Sequence, residues 1–64
     1  MQIDLNGRPQ TITATTLAAA LTELGLTGPL ATAVNGLFVA GSARAITTLN
    51  NGDRVEALSP MQGG

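Results

Sequence analysis

The chain contains no cysteine and no histidine, and these absences exclude most enzyme chemistry. Without them there is no disulfide, no thiol nucleophile, no imidazole base and no zinc site of the Cys/His kind. Lysine is also absent, so neither Ser42 nor Ser59 has a side-chain base that would activate it as a nucleophile. For the same reason the sequence contains no glycine-rich phosphate-binding loop of the kind that ends in a lysine. The sequence therefore predicts a chain with few catalytic side chains that binds no cofactor or metal.

Charge is scarce and nearly balanced, with three basic residues against four acidic ones and a net charge of −1. A chain of this kind has no basic surface for nucleic acid. Its apolar runs are only a few residues long, far below the roughly 20 that span a bilayer, and no basic segment followed by an apolar one begins the sequence. The hydrophobic fraction of 44% is sufficient for a folded core. We expect one folded cytoplasmic domain with neither nucleic acid nor membrane as a partner.

Hydrophobic periodicity divides the chain into two hairpins, one helix and a final strand. Asn6-Gly7 and Asn35-Gly36 each predict a tight hairpin turn, because both residue types tolerate positive φ. From Leu17, apolar residues recur at offsets of three, four and seven, which predicts an amphipathic helix that ends at Gly25. The predicted strands are residues 1–5, 8–13, 30–34, 37–39 and 54–58, and residues 40–49 are predicted to be irregular.

These elements predict an α+β domain over residues 1–58, in which the helix packs across one face of the sheet. Pro9 lacks the N–H that a central strand needs, so the second strand is expected at an edge. The carboxylates of Asp53 and Glu56 are expected to be structural or solvated, with Asp53 bonded to the backbone of its own turn. The predicted core consists of Ile3, Leu5, Ile12, Leu17, Leu21, Leu24 and Val55.

Residues 59–64 show neither strand nor helix periodicity and predict a flexible C-terminal tail. Their last two residues, Gly63 and Gly64, have no side chains and can adopt backbone angles that are closed to other residues. Six residues reach up to about 20 Å when extended. A domain with such an ending can stay outside a partner enzyme while its terminal carboxylate enters a narrow active-site channel.

Three segments are distinctive when taken together: Val34-Asn35-Gly36, the Asn-Gly-Asp-Arg-Val-Glu run at residues 51–56, and the Pro-Met-Gln-Gly-Gly ending at residues 60–64. With these segments the chain resembles, over its whole length, the sulfur carrier proteins of the thiamine pathway (the ThiS family). The strand entry at residues 52–56, followed eight residues later by the last glycine, is the most specific part. The resemblance implies a ubiquitin-like β-grasp fold, a mixed sheet of about five strands with the final strand between the two hairpins.

The resemblance also implies a carrier cycle in which Gly64 is the reacting residue. Its carboxylate is adenylated by an E1-like adenylyltransferase that uses ATP and magnesium, and is then converted to a thiocarboxylate with sulfur that comes ultimately from a cysteine desulfurase. Thiazole synthase takes this sulfur to build the thiazole ring of thiamine. Met61, Gln62 and Gly63 are implied as the residues by which partners recognise the tail.

Leu58 and Phe38 are candidate docking residues for the E1-like partner. By strand alternation Leu58 shares a face with Arg54 and Glu56 and points away from the core. There it is either part of an apolar docking surface or an ordinary exposed apolar residue. Phe38, the single aromatic residue, could extend that surface, although packing in the core is its favoured role.

One loop departs from the family pattern. Relatives often have Pro-Arg where this chain has Ala40-Gly41, and Arg44 is then the nearest positive charge. A charged partner contact in this loop is therefore not carried over from the family.

Three other functions fit parts of the sequence. The small subunit of molybdopterin synthase also ends in Gly-Gly and also works as a thiocarboxylate, but it is usually longer and usually lacks the Met-Gln-Gly-Gly ending. A ubiquitin-like protein modifier would join Gly64 to lysines of target proteins, although this chain has no lysine with which to build polymers of itself. The remaining alternative is a small binding domain whose terminal glycines are accidental.

Overall fold

The computed structural model describes residues 1–59, and residues 60–64 lie outside the described part. Within that range the chain forms five strands, one α-helix and one 3₁₀ helix. The strands are β1 (Gln2–Leu5), β2 (Arg8–Thr11), β3 (Ala31–Val34), β4 (Leu37–Val39) and β5 (Arg54–Leu58), the α-helix is α1 (Leu17–Glu23), and the 3₁₀ helix is Gly41–Ile46.

The strands form a single mixed sheet in the order β2-β1-β5-β3-β4. The β1–β2 and β3–β4 pairs are antiparallel hairpins, whereas β5 runs parallel to β1 and antiparallel to β3. This arrangement confirms the predicted α+β β-grasp fold, in which the last strand separates the two hairpins. It also confirms that β2, which contains Pro9, is an edge strand.

Both hairpins turn at the predicted Asn-Gly pairs. The φ angle is 51° at Asn6 and at Asn35, and the following glycines, Gly7 and Gly36, have φ of 87° and 84°. Positive φ at two successive turn residues matches the right-handed twist of the flanking strands, and asparagine and glycine adopt it at the lowest steric cost. The two turns therefore share the same pattern of positive φ angles.

Helix α1 is stopped at both ends by local hydrogen bonds. The side chain of Thr16 accepts from the backbone N–H of Ala19 at 3.2 Å, which satisfies a donor that the first turn leaves free. At the other end, the N–H groups of Gly25 (φ 74°) and Leu26 donate to the carbonyls of the last helical turn, in a Schellman arrangement.

In the described part of the chain no helix is long and apolar enough to cross a membrane.

The core lies between α1 and one face of the sheet. Leu5 and Leu24, which were predicted as core residues, are only partly buried and pack against its margin. Leu49 is buried although it falls in the segment predicted to be irregular, because its N–H bonds to the carbonyl of Thr15 at 2.8 Å and fastens that segment beside the start of α1. The buried residues of the core are Ile3, Ile12, Leu17, Ala20, Leu21, Leu49, Val55 and Ala57.

Several predicted boundaries shift. The second strand ends at Thr11 rather than at residue 13. Ile12 nevertheless remains in the core, because its N–H donates to the carbonyl of Met1 and its own carbonyl accepts from the N-terminal ammonium group. The predicted irregular segment contains the 3₁₀ helix. The turn before β5 is as expected: the Asp53 carboxylate accepts the N–H of Asn50 at 2.8 Å.

The prediction that Phe38 packs in the core is wrong. This side chain is 73% exposed. It lies in β4, an edge strand, opposite Ala33 on the sheet face that points away from α1. The hydrophobicity of Phe38 suggested burial, but the pairing register decides which face it occupies.

Candidate tail-bearing strand and docking face

Strand β5 is the element that precedes the predicted tail in the chain. Val55 and Ala57 point into the core, and the strand ends at Leu58. Because β5 has neighbours on both sides, the predicted tail follows an inner strand of the sheet rather than an edge strand. The predicted reacting residue, Gly64, and the predicted recognition residues, Gly63, Gln62 and Met61, lie outside the described residues.

The sheet face opposite α1 presents an apolar surface beside the end of β5. Leu58 pairs with Ala31, and Phe38 pairs with Ala33, so all four residues lie on this face. Leu58 is 60% exposed, and the small side chains of the two β3 alanines lie between it and Phe38. We refer to Ala31, Ala33, Phe38 and Leu58 as the outer apolar surface. The structure thus brings together the two residues that the sequence suggested for docking.

The other end of the same face is charged. Arg54 lies opposite Asp4 across the β1–β5 pair, and Glu56 follows two residues later on the same face of β5, where it pairs with Ala33 at the border of the outer apolar surface. These three side chains line an open cleft of about 320 Å³ together with Gly7 and Gly36 of the two hairpin turns. Within residues 1–59 no group of three or more acidic side chains is placed to hold a metal ion. The apolar part of the face, not the charged part, adjoins the start of the tail.

A sequence model of the ThiS family matches residues 3–64 of the chain. This chain belongs to the ThiS family. The match includes the tail as well as the folded domain, and it agrees with the resemblance carried by the turn, the strand entry and the Gly-Gly ending.

Two solved structures share the fold of this ThiS-family chain. The crystal structure of the thiamine biosynthesis protein ThiS from Geobacter metallireducens is 29% identical, with a TM-score of 0.85 over the whole of both chains. A solution NMR structure of a thiamine biosynthesis protein from the same organism is also 29% identical, with a TM-score of 0.78 over all of this chain and 88% of the other. No curated protein matches the chain.

Arg44, noted in the sequence only as the nearest positive charge, makes contacts within the domain. Its Nε donates to the hydroxyl of Thr32 at 2.9 Å, and its Nη2 donates to the carbonyl of Leu30 at 2.5 Å. Thr32 is buried, and its hydroxyl donates in turn to the carbonyl of Val39 at 2.8 Å. Arg44 therefore fastens the 3₁₀ helix to the start of β3. In the sequence, only Thr32 at an inward position of a predicted strand indicated a buried hydrogen bond, and its position does not show which side chain it contacts.

Two asparagine contacts to β5 were also missed by sequence reasoning. The Asn6 carboxamide pairs with Ala57: its Oδ1 accepts the Ala57 N–H and its Nδ2 donates to the Ala57 carbonyl, both at 3.0 Å. The Oδ1 of Asn35 accepts the N–H of Arg54 at 2.9 Å. The Asn-Gly pattern predicted two turns, whereas the same asparagine side chains also hold the two ends of the tail-bearing strand.

The Glu23 carboxylate stabilises the loop that leads into α1. It accepts the backbone N–H groups of Thr13 and Ala14 at 2.9 to 3.0 Å. These hydrogen bonds lower the pKa of Glu23, because they favour its ionised form, and the bond from Thr13 has the largest effect. An acidic residue in the last turn of a helix opposes the helix dipole, and its contacts with the preceding loop account for its presence there.

Proposed function

We propose that this protein is a sulfur carrier of thiamine biosynthesis, and that the carboxylate of Gly64 is its reacting group. Membership of the ThiS family and the likeness to thiamine biosynthesis proteins of known structure support this role. The observation that carries the proposal is that the family match runs through residue 64, so that it includes the Gly63-Gly64 ending as well as the strand before it. The chain acts as a co-substrate of other enzymes rather than as a catalyst.

The chemistry follows from the poor reactivity of a carboxylate. An ionised carboxylate is a weak electrophile, and it needs a better leaving group before sulfur can be introduced. In the proposed first step, a carboxylate oxygen of Gly64 bonds to the α-phosphorus of ATP and pyrophosphate leaves, with magnesium held by the E1-like partner. A persulfide that derives from a cysteine desulfurase then attacks the carbonyl carbon and AMP leaves, and a thiol such as excess cysteine reduces the resulting acyl disulfide to the thiocarboxylate. Neither step requires an acid or a base from this chain.

The arrangement of the chain suits delivery of a carboxylate into another enzyme. Residues 59–64 span up to about 20 Å when fully extended. Gly63 and Gly64 fit a narrow channel because they lack side chains, whereas Met61 and Gln62 offer the channel walls a thioether and an amide to recognise. Thiazole synthase is the proposed acceptor of the sulfur.

The outer apolar surface is the proposed docking site for the E1-like adenylyltransferase. It adjoins the end of β5, so a partner seated on it also lies next to the start of the tail. Leu58 and Phe38 are largely exposed in the protein alone, and burial of their exposed part by a partner would contribute about 1 to 2 kcal/mol each. Arg44 is not assigned a docking role, because its side chain bonds to Thr32 and Leu30.

The proposal is tested by intact-mass spectrometry. The protein is incubated with ATP, magnesium, the host's E1-like enzyme, a cysteine desulfurase and cysteine, beside a variant lacking Gly64 and a mixture lacking ATP. Conversion to a thiocarboxylate adds about 16 Da, because one oxygen is replaced by sulfur. We expect this gain for the full chain alone. No gain with partners that are active on another carrier would contradict the proposal and would favour a modifier or a plain binding domain.

A further inference from the structure

Parallel pairing between β1 and β5 ends before β5 does. The last paired residues are Leu5 and Val55, and the N–H of Asn6 then donates to the Val55 carbonyl at 2.9 Å. A straight continuation of β1 would next offer the carbonyl of residue 6 to the Ala57 N–H, and the N–H of residue 8 to the Ala57 carbonyl. The hairpin turn carries the β1 main chain away from both positions.

The side chain of Asn6 takes the place of the missing strand. Its carboxamide has the same donor and acceptor groups as a peptide unit, and it makes both bonds to Ala57 at 3.0 Å. On its other side, β5 pairs with β3 up to Leu58. Asn6 therefore keeps β5 hydrogen-bonded on both sides as far as Ala57. Ala57 is the residue before the last one of the strand, and the unpaired chain starts two residues later at Ser59.

Asn35 provides a matched comparison within the same molecule. It has the same φ of 51° and is also followed by a glycine. Its backbone carbonyl turns away from β5, and its carboxamide oxygen accepts the Arg54 N–H in place of that carbonyl. Arg54 is at the start of β5, whereas Ala57 is near its end. The two asparagines thus hold opposite ends of one strand, and only Asn6 acts beside the tail.

We propose that Asn6 is a positioning residue for the carrier tail, a role that rests on the function proposed above. By bonding both groups of Ala57 it fixes the point from which the tail leaves the domain. When a partner is seated on the domain, a fixed starting point concentrates the terminal carboxylate near the partner's channel. Without Asn6, the end of β5 is bonded on one side only, and its last residues become part of a longer tether.

The cost of that longer tether is conformational entropy. The backbone of each further residue must be ordered when the tail enters the channel. One such residue corresponds to a loss of roughly five- to thirty-fold in the kcat/KM of adenylation. We therefore expect a loss of about tenfold when the Asn6 carboxamide is removed.

The test compares Asn6→Gly with Asn35→Gly. Glycine accepts the positive φ of both turns, so each variant removes one carboxamide without straining the backbone. Hydrogen exchange of the Ala57 and Arg54 amides reports the two strand ends in the isolated protein. Adenylation kinetics with the E1-like enzyme, ATP and magnesium report positioning, and urea unfolding shows how far the two variants differ in stability.

We expect Asn6→Gly to lose protection at Ala57 and about tenfold in kcat/KM, and Asn35→Gly to lose protection at Arg54 and less than about threefold in kcat/KM. Equal kinetics of the two variants, with an active wild type, would overturn the positioning role and leave the carrier function standing. A wild type that is not adenylated would overturn the carrier function itself. If Asn6→Gly fails to fold, Asn6→Asp, which keeps the acceptor and removes the donor, is measured instead; unchanged kcat/KM in that variant would overturn the inference.

Discussion

Replacement of Thr32 by valine is expected to loosen the contact between the 3₁₀ helix and β3. The substitution keeps the volume of a side chain that is only 2% exposed and removes its hydroxyl. That hydroxyl accepts from Arg44 Nε at 2.9 Å and donates to the Val39 carbonyl at 2.8 Å. Thr32→Val therefore removes one charge-assisted and one neutral hydrogen bond in a single step.

The expected loss follows from these two bonds. A neutral hydrogen bond contributes about 1 kcal/mol net, and a bond from a charged donor about 1.5 to 3 kcal/mol. The Arg44 side chain is only partly buried and regains some hydration when its partner is removed, so we expect a total loss of about 2 to 3 kcal/mol. A chain of 64 residues has a free energy of unfolding of roughly 3 to 10 kcal/mol. The substitution thus removes a large part of the total stability.

Urea unfolding followed by far-UV circular dichroism measures this loss, since the chain has no tryptophan or tyrosine for fluorescence. Arg44→Met, which keeps an unbranched side chain without the charge, and the double variant complete a mutant cycle. We expect the double variant to lose about 1 to 2 kcal/mol less than the sum of the single losses. Additive losses, or a Thr32→Val loss below about 0.5 kcal/mol, would refute the inferred contact.

Three other features of the chain lead to separate predictions. Because hydrogen bonds lower the pKa of Glu23, its stabilising contribution is complete above the usual carboxyl value of 4.5 and is lost as pH falls through the lowered pKa. The difference in urea midpoint between wild type and Glu23→Gln should therefore shrink in acid, and a constant difference would contradict the assignment. Leu58→Asp should lower the kcat/KM of adenylation about tenfold or more while circular dichroism stays unchanged. The control Ile46→Asp, at an 82% exposed position of the 3₁₀ helix, should have no effect, and equal losses in both variants would argue against the docking site. Leu17→Ala should lower the free energy of unfolding by about 2 to 5 kcal/mol, since the side chain is fully buried. A smaller loss in urea unfolding would show that the core can collapse around that position.

The order of strands and helix was predictable because the signals that determine it are local. Each Asn-Gly pair specifies its own turn through backbone conformation, and the change from period two to period 3.6 at Leu17 marks the helix without reference to the rest of the chain. The position of the last strand between the hairpins came from the family resemblance, and the observed strand order confirms it.

The contacts around β5 and β3 were not predictable in the same way. Asn6 and Ala57 are 51 residues apart in sequence, and Thr32 and Arg44 are 12 apart. No periodicity links such pairs, because each contact depends on the register between strands that meet only in the folded sheet. The error at Phe38 has the same origin, since an aromatic side chain in an edge strand is buried or exposed according to the face on which its register places it.

Sulfur-isotope labelling with fragment-ion mass spectrometry shows whether the carboxylate of Gly64 is the group that receives the sulfur. The protein is incubated with the partner enzymes and with cysteine that carries sulfur-34, and is then fragmented to locate any added mass. We expect a gain of about 18 Da in place of the gain of about 16 Da with ordinary cysteine, confined to fragments that contain Gly64. No gain in mass with active partner enzymes, or a gain in fragments that lack Gly64, would contradict the claim that the terminal carboxylate carries the sulfur.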